Sequence, residues 1–175
     1  MVAEKVEAYS NLHLEDGVSV VGHSMGGQAT LFSSAYNSTS HNIVAAVYHH
    51  AWTEDFPAPQ IPFLDFTSVW DDEAPADTMG QVIYDIPDTP TKLSKGLVST
   101  KNFGHHEADI LGFNPLLPQF TAAWLKIFMD GTFEETQNGV TVNWEGMIFG
   151  DDVTSVCGGG MGDIDPDMCE IVDMR

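Results

Sequence analysis

The chain has 175 residues, 43% of them hydrophobic and 10% aromatic, which suffices for one domain with a buried core and excludes a disordered or fibrous class. Six Lys plus Arg against 26 Asp plus Glu leave a formal charge of −20. That field repels phosphate backbones and anionic membrane surfaces, so nucleic acid is excluded as a partner and the acidic excess reads as a solvated surface.

Taken in chain order, Val2–Leu14 has weak helical spacing and is expected to form a short helix ending before Glu15-Asp16-Gly17. Val18–Val21 is a β-branched run too short for a helix, hence a buried strand. Gly22–Gly27 is a tight turn, and helical spacing resumes over Gln28–Tyr36. Ile43–Tyr48 and Phe63–Val69 read as the second and third strands, Thr78–Tyr84 as a helix, and Gly96–Lys101 as the fourth strand. Leu116–Met129 is the clearest amphipathic helix, stopped by Asp130-Gly131. Beyond Gly131 the periodicity fades, and residues 150–173 read as acidic, Gly-rich and irregular.

Strands alternating with helices predict an α/β fold, a parallel sheet with helices on both faces. The expected division is a domain over 1–135 and a tail over 136–175, with neither a second domain nor an internal repeat. No apolar run approaches the roughly 20 residues of a membrane span, and residues 1–17 hold no apolar segment of a secretion signal. Cys157 and Cys169 are confined to the tail, where a disulfide closing a short loop is expected, with two free thiols as the other reading. A bridge implies a secreted or otherwise oxidising location.

Gly22-His23-Ser24-Met25-Gly26 matches G-x-S-x-G, with a strand before it and a small-residue helix after it. In that context the serine sits on a strained strand-to-helix turn, and the glycines on both sides are expected to be required by close backbone approach. The other reading is a Gly-rich turn whose serine merely caps the helix. An elbow serine needs a base held by an acid, in the chain order Ser, Asp or Glu, His. Asp71 stands just past the third strand. His105-His106 follows the fourth strand and precedes the last long helix. All three groups then fall at one edge of one parallel sheet, where ligands bind in open α/β folds.

These residues resemble α/β-hydrolases grouped with cutinase-like polyester hydrolases and chlorophyllases, near the dienelactone-hydrolase type. Val21–Gly27 is similar to that family's elbow, as is Ala51-Trp52 to its tryptophan. Asp71-Asp72-Glu73-Ala74-Pro75 is similar to its D-x-x-A-P acid turn, and Gly104-His105 before Ala123-Trp124-Leu125-Lys126 to its histidine loop and last helix. The resemblance covers about residues 15–135 and implies that Met25 contributes an oxyanion N–H and that Trp52 lines the acyl subsite. Chlorophyllase-like members favour His105 as the base, while sliding by one residue favours His106, as in some cutinase-like members. That family has about half a sheet before the elbow strand. The expectation here is therefore a partial α/β-hydrolase fold, its N-terminal strands missing, as in a fragment of a longer protein.

The expected activity is cleavage of carboxylic esters through an acyl-enzyme on Ser24, with no cofactor and no metal, on a small-molecule, lipid or polyester substrate. The competing reading is a truncated or non-catalytic α/β-hydrolase-like binding domain. His49-His50 and His105-His106 invite a metal reading, but neighbours on an extended backbone point apart. Asp163-Ile164-Asp165-Pro166-Asp167 begins like an EF-hand loop, yet Met168 stands where its glycine is needed and Met174 where its last acid is needed. A solvated acidic tail is the simpler reading.

Overall fold

The computed structural model describes residues 16–108, 114–151, 153–158 and 163–175. The helix expected over Val2–Leu14 lies outside these. The elements run β1 (Val18–His23), α1 (Met25–Phe32), β2 (Ile43–His49), β3 (Phe63–Ser68), α2 (Gly80–Tyr84), β4 (Lys95–Thr100), α3 (Leu116–Phe128), β5 (Glu134–Gln137), β6 (Val140–Asn143), α4 (Trp144–Phe149) and β7 (Ile164–Val172). One sheet has the order β1-β2-β3-β4-β7. Its first four strands are parallel and β7 closes the edge antiparallel to β4. A separate hairpin pairs β5 with β6. The α/β fold with a mostly parallel sheet is what the alternating pattern demands.

Period-two alternation splits the core between the two faces of the sheet. Ala45, Val47, Leu64 and Phe66 pack with Phe120, Ala123, Trp124 and Ile127 of α3 and Ile148 of α4. Ala46, Tyr48 and Phe63 face the other way, toward Leu31 of α1 and Ile83 of α2. Every residue of β3 is buried, Asp65, Thr67 and Ser68 included, so the strand shows no apolar–polar alternation. Among the described residues no helix is long and apolar enough to cross a membrane.

Two expectations need correcting. The helix after the elbow starts at Met25, three residues earlier than Gln28, and gives way after Phe32 to a wide turn over Ser33–Asn37. Gly26 and Gly27 are poor helix formers in isolation, and tertiary packing overrides that propensity. Residues 150–173, read as irregular, hold β7, the fifth strand of the main sheet. As an edge strand, β7 keeps most of its side chains partly or fully exposed, so its acids and Pro166 hide the strand pattern. Cys157 and Cys169 are disulfide-bonded, tying β7 to the segment before it. Asp163 closes the link to the loop after β4: its C=O accepts from Lys101 N–H at 2.7 Å and its carboxylate from the Asn102 amide.

Candidate active site

The sharp turn between β1 and α1 is built by close packing. A Cβ on Gly22 would lie 2.1 Å from Gly26 O, and one on Gly27 would lie 2.8 Å from Ala51 Cα, so neither position has room for a side chain. A Cβ on Gly26 would meet nothing within 4 Å, which corrects the expectation that the glycines on both sides of the serine are sterically required. Ser24 holds φ 56°, a left-handed conformation that a serine keeps only when its surroundings impose it. Those surroundings are hydrogen bonds: Ser24 N–H donates to His49 O at 3.0 Å, and Ser24 O accepts from Gln28 N–H at 3.1 Å and Trp52 N–H at 3.2 Å.

Asp71 and His105 converge on this turn from the ends of β3 and β4. His105 Nε2 is 2.8 Å from Ser24 Oγ, and His105 Nδ1 is 2.8 Å from Asp71 Oδ2. Nδ1 must donate to the carboxylate, which leaves Nε2 free to accept the serine proton. The other Asp71 oxygen, Oδ1, accepts from Glu73 N–H at 2.9 Å and Ala74 N–H at 2.7 Å, while Asp72 is exposed. Burial alone would raise the Asp71 pKa. Hydrogen bonds from His50, from Ala74 N–H and from His105 outweigh that and hold the carboxyl well below the ordinary carboxylate range. The histidine loop is braced by Ser68 Oγ, which donates to Phe103 O, and by His23 Nε2, which donates to His105 O at 2.6 Å.

His106, the alternative base, has its side chain 57% exposed and faces Glu73 Oε1 at 3.6 Å instead of Ser24. Met25 is the first residue of α1, its side chain exposed, so its N–H is among those that helix geometry leaves without an intrahelical partner. Trp52 is half-buried and joins the elbow through its backbone.

Two buried residues not chosen from the sequence belong to the same network. His50 Nδ1 is 2.7 Å from Asp71 Oδ2, the oxygen that also holds His105, and His50 Nε2 is 2.7 Å from Glu107 Oε1. Glu107 also accepts from Thr100 Oγ1 at 2.8 Å and the Asn114 amide at 2.7 Å. Desolvation pushes the His50 pKa down, but the hydrogen bonds to Asp71 and Glu107 and their charges win, raising it to about 9. The visible signal was weak: an acid directly after His105-His106 and a histidine directly after β2. A cavity of about 410 Å³ adjoins this network, bounded by His23, His49, Glu107, Asn114 and Thr121 among others.

His49 and His50 do point apart, His49 stacking on Phe66 with ring centroids 5.1 Å apart. Among the described residues, His50, Asp71 and His105 bring potential metal-ligating atoms within 4.8 Å of one another. The N–O separations of 2.7 and 2.8 Å are those of shared protons; two ligands about 2.0–2.1 Å from one tetrahedral ion would stand farther apart. In the acidic tail, the Asp165 carboxylate accepts Asp167 N–H at 3.2 Å at the start of β7, a strand rather than a coordinating loop.

The family model described as PETase, PET hydrolase-like, matches residues 4–146. The chain is 29% identical over 122 residues to Cutinase 2 of Thermobifida cellulosilytica, an alignment covering 69% of this chain and 44% of that protein. It is equally similar, 29% over 122 residues, to Cutinase cut1 of Thermobifida fusca, covering 36% of that protein. The chain thus spans less than half the length of these curated relatives. With the family match extending over most of the chain and an elbow at the edge of a mostly parallel sheet, the chain belongs to the PET hydrolase-like, cutinase-related family of α/β-hydrolases.

Proposed function

We propose that this chain carries the reacting side chains of a serine hydrolase acting on carboxylic esters, with Ser24 as nucleophile, His105 as base and Asp71 as the acid that orients it. The observation that carries the reading is the unbroken line from Ser24 Oγ to His105 to Asp71, two contacts of 2.8 Å each, starting from a strained elbow. In the reaction, His105 Nε2 takes the Ser24 proton as Oγ bonds to the ester carbonyl carbon. The Met25 N–H and the positive end of α1 stabilise the oxyanion. The imidazolium returns its proton to the leaving alcohol as the C–O bond breaks, giving acyl-Ser24. Water, deprotonated by His105, then releases the acid and restores Ser24.

Trp52 is assigned to the acyl side of the cleft, since it leaves the strand next to the elbow and hydrogen-bonds Ser24. The proposed substrates are small, lipid or polymeric esters, the last in keeping with the cutinases and the family described as PET hydrolase-like. The tail disulfide supports a secreted or otherwise oxidising location. The alternative reading is a non-catalytic binding domain of the same fold.

One experiment separates the two. The enzyme reading expects a fluorophosphonate probe to label Ser24 and p-nitrophenyl butyrate to be turned over, both abolished in Ser24→Ala. A folded chain that never labels supports the binding domain instead.

A further inference from the structure

We propose that His50 is a positioning residue: a buried imidazolium, clamped between Asp71 and Glu107, that holds the Asp71 carboxylate toward His105 and lowers the pH at which the Ser24 base becomes active. This rests on the triad reading above. The geometry leaves little freedom. Both His50 ring nitrogens lie 2.7 Å from carboxylate oxygens, and the side chains of His50, Asp71 and Glu107 are all fully buried. The other partners of these two carboxylates are donors as well: Glu73 N–H, Ala74 N–H and His105 on Asp71, and Thr100 and Asn114 on Glu107. An ionised carboxylate only accepts, so each His50 nitrogen carries a proton and the ring is cationic. The pKa direction of His50 agrees.

The backbone is arranged for the purpose. His50 holds φ 49°, the second left-handed residue of this site after Ser24, with its N–H bonded to Phe66 O at 2.7 Å. Such strain at a residue other than glycine persists only where the surroundings over-determine it. The turn lifts His50 off the end of β2, beneath the acid loop. Its ring lies 5.8 Å from the ring of His105, nearly perpendicular to it, and both donate to the same oxygen of Asp71.

The consequence is electrostatic. His50 as a cation offsets one of the two buried carboxylates, and its charge opposes the protonation of His105 close by. The other titratable groups around His50 are His23, with its ring 6.1 Å away, Asp65 on β3 and its chain neighbour His49. Around His105 they are Glu73, His23 and His106. Replacing His50 with a neutral residue uncovers the second negative charge, so His105 stays protonated, and unable to act as base, to higher pH.

The test is the pH dependence of Ser24 phosphonylation by a fluorophosphonate in the parent chain and in His50→Gln, which can keep a donor to Asp71 but not the charge. The expected result is an acid limb displaced upward by about one pH unit, a roughly tenfold lower rate below the limb with the alkaline plateau largely kept. A profile that falls as a whole with its limb unmoved overturns this inference and leaves the proposed function standing. A Ser24 that never labels in the parent chain overturns both. Should the variant fail to fold, long-range ¹H–¹⁵N spectra of the parent chain at pH 8 decide. One imidazole with both nitrogens protonated is expected, and none overturns the proposal.

Discussion

His49 and His50 are adjacent at the end of β2 and are driven to opposite protonation states. Burial, then the neighbouring charges of His50 and His23, pushes the His49 pKa down to about 3, so this ring stays neutral against Phe66 and near Thr121. One residue on, two carboxylates overcome the same desolvation and hold His50 at about 9. Stability must therefore fall on both sides of the ordinary histidine pKa of 6.5. The His50 contribution, raised in the folded state, is fully present below 6.5 and lost as pH climbs through about 9. Its size is roughly 3 kcal/mol at most. The His49 contribution, depressed in the folded state, is present above 6.5 and lost as pH falls toward 3. Urea midpoints between pH 4 and 10 are expected to peak near 6–7. A midpoint that does not change between pH 7 and 9.5 would contradict the charge assigned to His50.

The two histidines of the loop after β4 separate just as sharply. His105→Ala is expected to lower ester turnover by about three orders of magnitude or more, since base and serine act as a unit. His106→Ala is expected to stay within about twofold, because an exposed histidine 3.6 Å from Glu73 gains little from that pairing. Equal losses in the two variants, measured with p-nitrophenyl butyrate, would count against the assignment of the base.

The elbow glycines should respond unequally. Gly22→Ala forces a methyl group against Gly26 O and is expected to destabilise by about 3 kcal/mol or more, or to prevent folding. Gly26→Ala places its methyl group in open space within α1, where alanine is the better helix former, and is expected to leave stability unchanged or raise it by about 0.5–1 kcal/mol. Thermal melts of both variants check the ordering, which a similar loss at the two positions would refute.

The bridge between Cys157 and Cys169 spans 12 residues of sequence and fastens the edge strand. In the chain-entropy model a loop of that length is worth about 3 kcal/mol. Cys157→Ser with Cys169→Ser is expected to lower the melting temperature by several degrees and to loosen β7 first. Hydrogen exchange faster in β7 than in β3 would show that order of opening. Unchanged exchange at β7 would mean that pairing with β4 suffices without the bridge.

The local features written in short stretches of sequence were legible without coordinates. Strands β1 to β4 each hold a short cluster of β-branched or apolar residues near turn residues, and α3 has a strong apolar stripe, so their positions follow from local chemistry. The elbow, the acid after β3 and the histidine after β4 were readable because a parallel sheet brings the ends of its strands to one edge. What only the tertiary structure decided were the distances between distant segments. His105 and His106 differ by one position in a loop, and their surroundings diverge only in the fold, where Asp71 meets one ring and Glu73 faces the other. In the edge strand β7 the apolar residues are interrupted by Asp165, Pro166, Asp167 and Glu170, so no continuous apolar run marks it. Glu107 and His50, 57 residues apart, are unremarkable acid and base in sequence and become a buried ion pair only when the β2 turn and the loop after β4 close on each other. Hydrophobic period and turn chemistry are local properties that any short stretch carries. The charge state of a buried group depends on every partner the fold brings to it.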